Sequence, residues 1–429
     1  MNIKKIVFSD VFERHGKTLI KYVVGPWLRL RRMFFPRKSV LFCGQSYYHA
    51  WYLSRRLRAL GWKADVLNWD LNEASQIYYH GEDFHFLDSE YEDIEEQVEF
   101  YFRAIQEYDV FHFSNMGGLS FGFRLGKYMK AHFGENFEID LLRMLGKKVV
   151  YSHTGCMDGV SQTSFSKWGP ISPCASCNWR NHPEVCNDAN NLAWGKYRNS
   201  IADYQCTIGG NRADYNDDPR VHEAPGFYCL EPDFWSPDME IPEKYRLPDN
   251  PGAVRLYHVI GNRDARTDGH GVNIKSTHIY LPLIARLKDE GYNVEHLSYH
   301  DVPNKEIRYY QAQADIVLDM LTYGFFGANG REALMLGKPL VCFIRPEWLE
   351  SMRAEIPEYV DELPVVQANP DNVHEVVKWL IDNPHERAEI GRRSRAFAIK
   401  WHSAEAGARH FDRIYRRLLR GHRLLRKEP

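Results

Sequence analysis

The sequence predicts an α/β protein built from two similar-sized domains, each with a parallel sheet. Short apolar runs alternate with helically spaced stretches, which argues for parallel sheets covered by helices on both faces. The alternation stops at residues 236–252 (SPDMEIPEKYRLPDNPG), a linker rich in Pro and charge, and then restarts. At 429 residues the chain is long enough to bury two cores.

The elements follow in order. Residues 39–44 (SVLFCG) are a strand ending in glycine. Residues 46–60 carry helical spacing through Tyr48, Tyr52, Leu53, Leu57 and Leu60, and Gly61 ends them. Strands follow at 64–68, 109–113 and 148–151, the last two entered from helical patterns at 94–106 and 139–145. Beyond the linker come a strand at 254–260, a helix at 277–289, a strand at 294–297 and a helix at 305–313.

Residues 314–342 are the most informative. A buried strand (315–319) leads through a Gly-rich loop into a short helix (328–336) and a second buried strand (339–343). A glycine loop feeding a helix leaves backbone N–H groups free and aims the positive helix end at the loop, a place to hold phosphate. Gly327, Ala328 and Asn329 would offer the amides. Glu332, one turn into the helix, can accept hydrogen bonds from ribose hydroxyls. The site suggested is one for a nucleoside diphosphate. In the first domain, Gly44 lets backbone approach a ligand, with Gln45 and Ser46 beside it.

On these residues the chain resembles the GT-B glycosyltransferases, particularly retaining members with an E-x7-E-like signature of the form E-G-x-G-x-x-x-x-E-A. The matching segment is Gly324-Phe-Phe-Gly327-Ala-Asn-Gly-Arg-Glu332-Ala333, followed by Gly337-Lys-Pro339. Residues 145–155 resemble the family's strand ending in His-x-Gly, here His153-Thr-Gly155. Residues 256–276 resemble the loop that brings Arg and Lys to the donor diphosphate. The resemblance spans roughly residues 39–420. It implies two Rossmann-like domains facing each other across a cleft, and transfer of a sugar from a nucleoside-diphosphate donor to a hydroxyl with retained configuration. It also implies that no metal is needed for catalysis. Lys275 matches the family lysine and Arg263 its arginine, with Arg266 as alternate. His153 would contact the donor sugar. One departure stands out: the family's first glutamate, which touches the transferred sugar, is Gly324 here. Asp158, close to His153, could bind acceptor hydroxyls or orient a loop.

The domains are then 1–38, a basic amphipathic extension; 39–235, the acceptor domain, with a Cys-containing insertion near 156–190; 236–252, the linker; 253–405, the donor domain; and 406–429, a basic helix packing back toward the first domain. The acceptor would be a growing surface glycan or lipid-linked saccharide. Two alternatives stay open: a non-hydrolysing sugar-nucleotide epimerase of the same fold, and a degenerate binding or scaffold protein, suggested by Gly324.

Lys+Arg 55 against Asp+Glu 57 leaves the chain near neutral, so bulk charge does not suggest nucleic acid. No run of about 18 apolar residues is present, and the N-terminal residues do not read as a signal peptide. The expected location is cytoplasmic. Residues 14–38, however, contain eight Lys or Arg and no acid, interleaved with Leu19, Tyr22, Val23, Trp27, Leu30, Phe34 and Phe35. Residues 413–427 are similarly basic. Such patterning fits peripheral contact with an anionic inner-membrane face. Gly25 and Pro26 argue against one uninterrupted helix there.

Of eight cysteines, Cys43 and Cys342 fall in apolar strand patterns and read as core. Cys174, Cys177 and Cys186 lie in PCASCNWRNHPEVC. Cys-x-x-Cys lets two thiolates reach one ion, and Cys186 could supply a third. His182 or Cys156 could be the fourth ligand of a structural zinc; reduced, unligated thiols are the alternative.

Overall fold

The computed structural model describes residues 10–35, 37–44, 47–69, 77–86, 94–114, 119–168, 171–207, 212–261, 263–300 and 302–426. Two parallel sheets organise it. The first has seven strands: β1 (Ser39–Cys43), β2 (Lys63–Asn68), β3 (Phe84–His85), β4 (Val110–Phe113), β5 (Lys148–Ser152), β6 (Tyr204–Thr207) and β7 (Val221–Glu223). Their order is β3-β2-β1-β4-β5-β6-β7. The second has β8 (Val254–Tyr257), β9 (Val294–Leu297), β10 (Ile316–Leu318), β11 (Leu340–Cys342) and β12 (Val366–Gln367), in the order β12-β11-β10-β8-β9. Every pairing within them is parallel.

Strands buried on both faces explain the continuous apolar runs. All five residues of β1 (SVLFC) are buried, as are IVL in β10 and LVC in β11. The Thr277–Asp289 helix has the bounds its spacing predicts. Four strands escape the sequence reading. β3 and β12 are two residues long, β7 is three, and β6 (YQCT) buries Gln205 and Cys206 in place of an aliphatic run.

The N-terminal segment corrects one expectation. It runs as α-helix over Asp10–Leu19, as π-helix over Ile20–Val24, and again as α-helix over Gly25–Phe34. Gly25 N–H bonds to Ile20 O, five residues back, so the widened turn absorbs the Gly25–Pro26 break without ending the helical path. Gly25 also permits close packing: a Cβ there would lie 2.6 Å from the carbonyl oxygen of Met144. Among the described residues, no helix is long and apolar enough to cross a membrane.

Late in the chain the backbone crosses back to the first sheet. Leu230 bridges Ser403 in parallel, with Leu230 N–H donating to His402 O at 2.8 Å. The Ala404–Leu419 helix then lies against the first domain. Trp62 Nε1 donates to Asp412 Oδ1 at 2.7 Å, and the Tyr415 hydroxyl shares a 2.6 Å hydrogen bond with His112 Nδ1. One apolar cluster is common to both domains. It runs from Val40 and Phe42 through Tyr48 and Trp235 to Val317 and Leu334, and includes Phe411 and Tyr415.

Candidate functional site

Ligands of open parallel sheets bind beyond the carboxyl ends of the strands, where the strand order reverses. In the second sheet that point lies between β8 and β10. The loop after β8 ends in Lys275, and the loop after β10 runs from Asp319 to Gly327. The two loops meet. Lys275 Nζ donates to Asp319 Oδ1 at 2.7 Å, and Gly327 N–H donates to Asp319 Oδ2 at 3.0 Å. Asp319 is fully buried and the Lys275 side chain is 13% exposed. A buried carboxylate needs such donors. The Gly327 amide, expected to face phosphate, is therefore committed to Asp319, a residue the sequence reading did not single out. Its trace in the sequence is only an acid closing the run IVLD.

The Ala328–Met335 helix begins here with Gly327 as its N-cap, and no side chain caps it. Its N-terminal end, at Ala328 and Asn329, thus faces the loop without an acidic cap. Asn329 accepts from Gln311 Nε2 through its Oδ1 (2.8 Å) and its carbonyl (3.1 Å), and its own Nδ2 has no partner. Glu332 is buried. Its Oε1 accepts from the Tyr48 hydroxyl at 2.6 Å and from Asn304 Nδ2 at 3.0 Å. Burial pushes the Glu332 pKa up, against the pull of those two donors. Asn304 Oδ1 in turn meets His80 Nε2 at 2.7 Å, and His80 Nδ1 meets the Tyr52 hydroxyl at 2.5 Å. The two domains are thus in contact at this carboxylate, through Tyr48.

The position of the absent glutamate has a physical account. Gly324 has φ 93°, a left-handed conformation that favours glycine. A Cβ there would lie 2.7 Å from Arg345 Nε. Arg345 fills that space and reaches into the first domain, donating to Trp168 O and Ile171 O, both at 2.7 Å.

In the first domain Gly44 follows β1 with φ 67°; Gln45 and Ser46 lie outside the described residues. His153 follows β5 and is buried. Its Nε2 meets Gln205 Oε1 at 3.1 Å, its carbonyl accepts from the Tyr228 hydroxyl, and its Nδ1 has no partner. Burial, reinforced by the Arg198 charge, holds its pKa well below the ordinary value and keeps the ring neutral.

Asp158, the acceptor-side candidate, lies in the loop after β5. It is fully enclosed, taking Tyr151 OH (2.6 Å) and Trp194 Nε1 (3.0 Å) on one oxygen, and Thr154 N–H (2.6 Å) and Oγ1 (3.0 Å) on the other. It orients its own loop. Arg263 begins the short Arg263–Arg266 helix at the other end of the loop from Lys275 and is exposed. It borders a small cavity with His258, Thr277, His296 and His300. Arg266 is half-buried.

Cys156, Cys174, Cys177 and Cys186 lie within electrostatic reach of one another. Burial, and after it the neighbouring thiols, raise the pKa of Cys156 and of Cys174, the latter to about 11. His182 instead pairs with Glu184 at 3.1 Å. Yet among the described residues no three His, Cys, Asp or Glu side chains are grouped to hold an ion. Cys156, Cys174, Cys177 and Cys186 form no disulfide.

No protein-family model matches the sequence, and no curated protein matches it. Solved structures do resemble the fold. Sucrose-phosphate synthase from Thermosynechococcus elongatus aligns over 90% of this chain and 100% of its own, at 12% identity and TM-score 0.51. The catalytic domain of starch synthase IV from Arabidopsis thaliana, bound to ADP and acarbose, aligns over 90% and 99%, at 9% identity and TM-score 0.50. HepE from Anabaena, in complex with UDP-glucose, aligns over 88% and 99%, at 11% identity and TM-score 0.50. The fold is GT-B, with two Rossmann-like domains facing each other.

Proposed function

We propose that the protein is a glycosyltransferase that moves a sugar from a nucleoside-diphosphate donor to a hydroxyl acceptor. The observation that supports this best is the junction of Lys275, Asp319 and Gly327 beside the uncapped Ala328–Met335 helix, with Glu332 one turn further in. A leaving diphosphate gathers charge on its oxygens, and a cation and helix amides aimed at one point stabilise it. In this reading Asp319 holds the Lys275 ammonium in place, and the amides of Ala328 and Asn329 face the phosphates. Glu332 receives the ribose, and Arg263 and Arg266 close over the diphosphate from their loop. His153, neutral with Nδ1 unpartnered, meets the sugar. At Gly324 no carboxylate is available, so the sugar hydroxyls find other partners. The solved relatives holding UDP-glucose and ADP agree with a nucleotide-sugar donor.

The acceptor is a surface glycan or lipid-linked saccharide held near an anionic membrane. That part of the reading rests on the N-terminal helices. Leu19, Tyr22, Val23, Trp27, Leu30, Phe34 and Phe35 are each more than half exposed, with Lys21, Arg29 and Arg31 exposed among them. Apolar residues of this size facing solvent beside basic ones fit an interfacial helix.

Thermal stabilisation by a panel of sugar nucleotides tests the donor, since a ligand that binds only the native state raises its melting temperature. Nucleotide release that depends on an added acceptor separates transfer from epimerisation. A panel in which no sugar nucleotide raises the melting temperature overturns the reading.

A further inference from the structure

Arg331, next to Glu332, is 5% exposed. Among the described residues its side chain forms no ion pair or hydrogen bond, and its Nε is buried without a partner. Its guanidinium lies over the Tyr228 ring, 4.8 Å from the centroid. The polar groups that share its electrostatic surroundings make hydrogen bonds elsewhere. The Tyr48 hydroxyl donates to Glu332, and the Tyr228 hydroxyl to His153 O. His49 Nδ1 meets Cys229 O at 3.3 Å. His402 meets the Tyr359 hydroxyl at 2.8 Å and Tyr228 O at 3.4 Å.

Nor, among the described residues, does any carboxylate pair with it at ion-pair distance. Burial, followed by the Arg331 charge, holds His49 well below its ordinary pKa; the same two causes bring His402 to about 3. Both rings are therefore neutral, and burial keeps the phenols of Tyr48, Tyr228 and Tyr359 protonated. The adjacent helix residue, Glu332, is a carboxylate that feels the Arg331 charge at a distance. It turns toward Tyr48 and Asn304 and makes no ion pair with Arg331. A buried guanidinium without a contact ion pair or side-chain hydrogen bonds is costly and is retained where something outside the fold satisfies it.

We propose that Arg331 is a phosphate-binding residue of the interdomain site, its guanidinium supplying paired N–H donors to a phosphoryl group of the substrate. The planar fork suits phosphate oxygens. The assignment deepens the donor reading given above and rests on it. The phosphoryl group belongs either to the donor diphosphate or to a phosphorylated acceptor, and the same chemistry serves both.

The test compares wild type with Arg331→Met by calorimetry and melting temperature. The probes are inorganic pyrophosphate, UDP, ADP and GDP, and glycerol phosphate added to nucleotide-saturated protein. The variant is expected to melt at or above the wild-type temperature without ligand, because an unpaired buried charge has been removed. It is expected to bind at least one class of phosphate at least about tenfold more weakly, the loss of a charged hydrogen bond. Weaker pyrophosphate and diphosphate binding assigns Arg331 to the donor; loss of glycerol phosphate alone assigns it to the acceptor. A clear drop in the ligand-free melting temperature makes the residue structural and overturns the proposal, as does unchanged affinity for every probe. If wild type binds pyrophosphate in an Arg331-dependent way but no sugar nucleotide, the donor reading falls and Arg331 stands. If wild type binds sugar nucleotides and the variant binds every probe alike, the reverse holds. If wild type binds none of these phosphates, both fall.

Discussion

The Tyr48 hydroxyl of the first domain donates to Glu332 Oε1 of the second at 2.6 Å. The residue proposed to receive the ribose is thus already held by a phenol from across the interface. A nucleotide must share that carboxylate with Tyr48 or displace it. Tyr48→Phe removes the competing donor and keeps the ring that packs in the shared core. Nucleotide affinity is expected to rise severalfold, within the roughly 0.5–1.5 kcal/mol of a hydrogen bond. Titration calorimetry reads it, and a fall in affinity would make Tyr48 a binding residue instead.

Lys275 and Asp319 form a buried pair. Lys275→Ala leaves Asp319 uncompensated, an error worth about 3–5 kcal/mol, and removes the diphosphate cation. The Lys275→Ala, Asp319→Asn double variant should recover most of the stability while nucleotide affinity stays reduced tenfold or more. Denaturant melts paired with nucleotide titration separate the two effects. Restored affinity in the double variant would remove Lys275 from the site.

Gly324→Ala meets two obstacles, the left-handed φ of 93° and a Cβ 2.7 Å from Arg345 Nε. It should destabilise by about 1–3 kcal/mol. Gly324→Glu, which restores the family's residue, should be at least as damaging and gain no activity. A well-folded, more active Gly324→Glu protein would contradict this account of the position.

Burial pushes Glu138 from an ordinary 4.5 up to about 8, with Phe121 N–H pulling the other way. Between those values the folded protein holds a proton that the unfolded chain has released. Stability contributed through this group is therefore present at low pH and lost as pH rises through that window. Glu138→Gln lacks the slope, so its melting temperature relative to wild type should climb from pH 5 to pH 8. A constant difference across that range would show that Glu138 titrates normally.

Anionic vesicles should pellet the protein at low salt and release it at high salt, since each basic residue near such a surface contributes about 1 kcal/mol and salt screens it. Trp27→Ser with Phe34→Ser should abolish pelleting without lowering the melting temperature, because both side chains are exposed.

The elements that were legible in the sequence are those whose own residues state their surroundings. β1 is five buried residues in a row, and the Thr277–Asp289 helix shows its face by spacing. The site was legible only as loops and motif positions. Tyr48 looked like one more core aromatic on a helix face, and nothing local reveals that its hydroxyl meets a carboxylate 284 residues away. Asp319, Arg331 and Arg345 were missed for the same reason. Lys275 lies 44 residues from Asp319, and the Trp168 carbonyl 177 from Arg345. Asp158 stayed open between two roles because a polar residue near a strand end reads alike whether it faces a ligand or closes its own loop.

The return of the Ala404–Leu419 helix to the first sheet bears on how the chain reaches its native state. Trp62 and His112 leave the ribosome some three hundred residues before Asp412 and Tyr415, the groups that complete their hydrogen bonds. The earlier-made half cannot finish its packing while translation proceeds, and it waits with apolar surface uncovered. Domains that emerge first ordinarily fold first; here the last step of maturation belongs to the half that began.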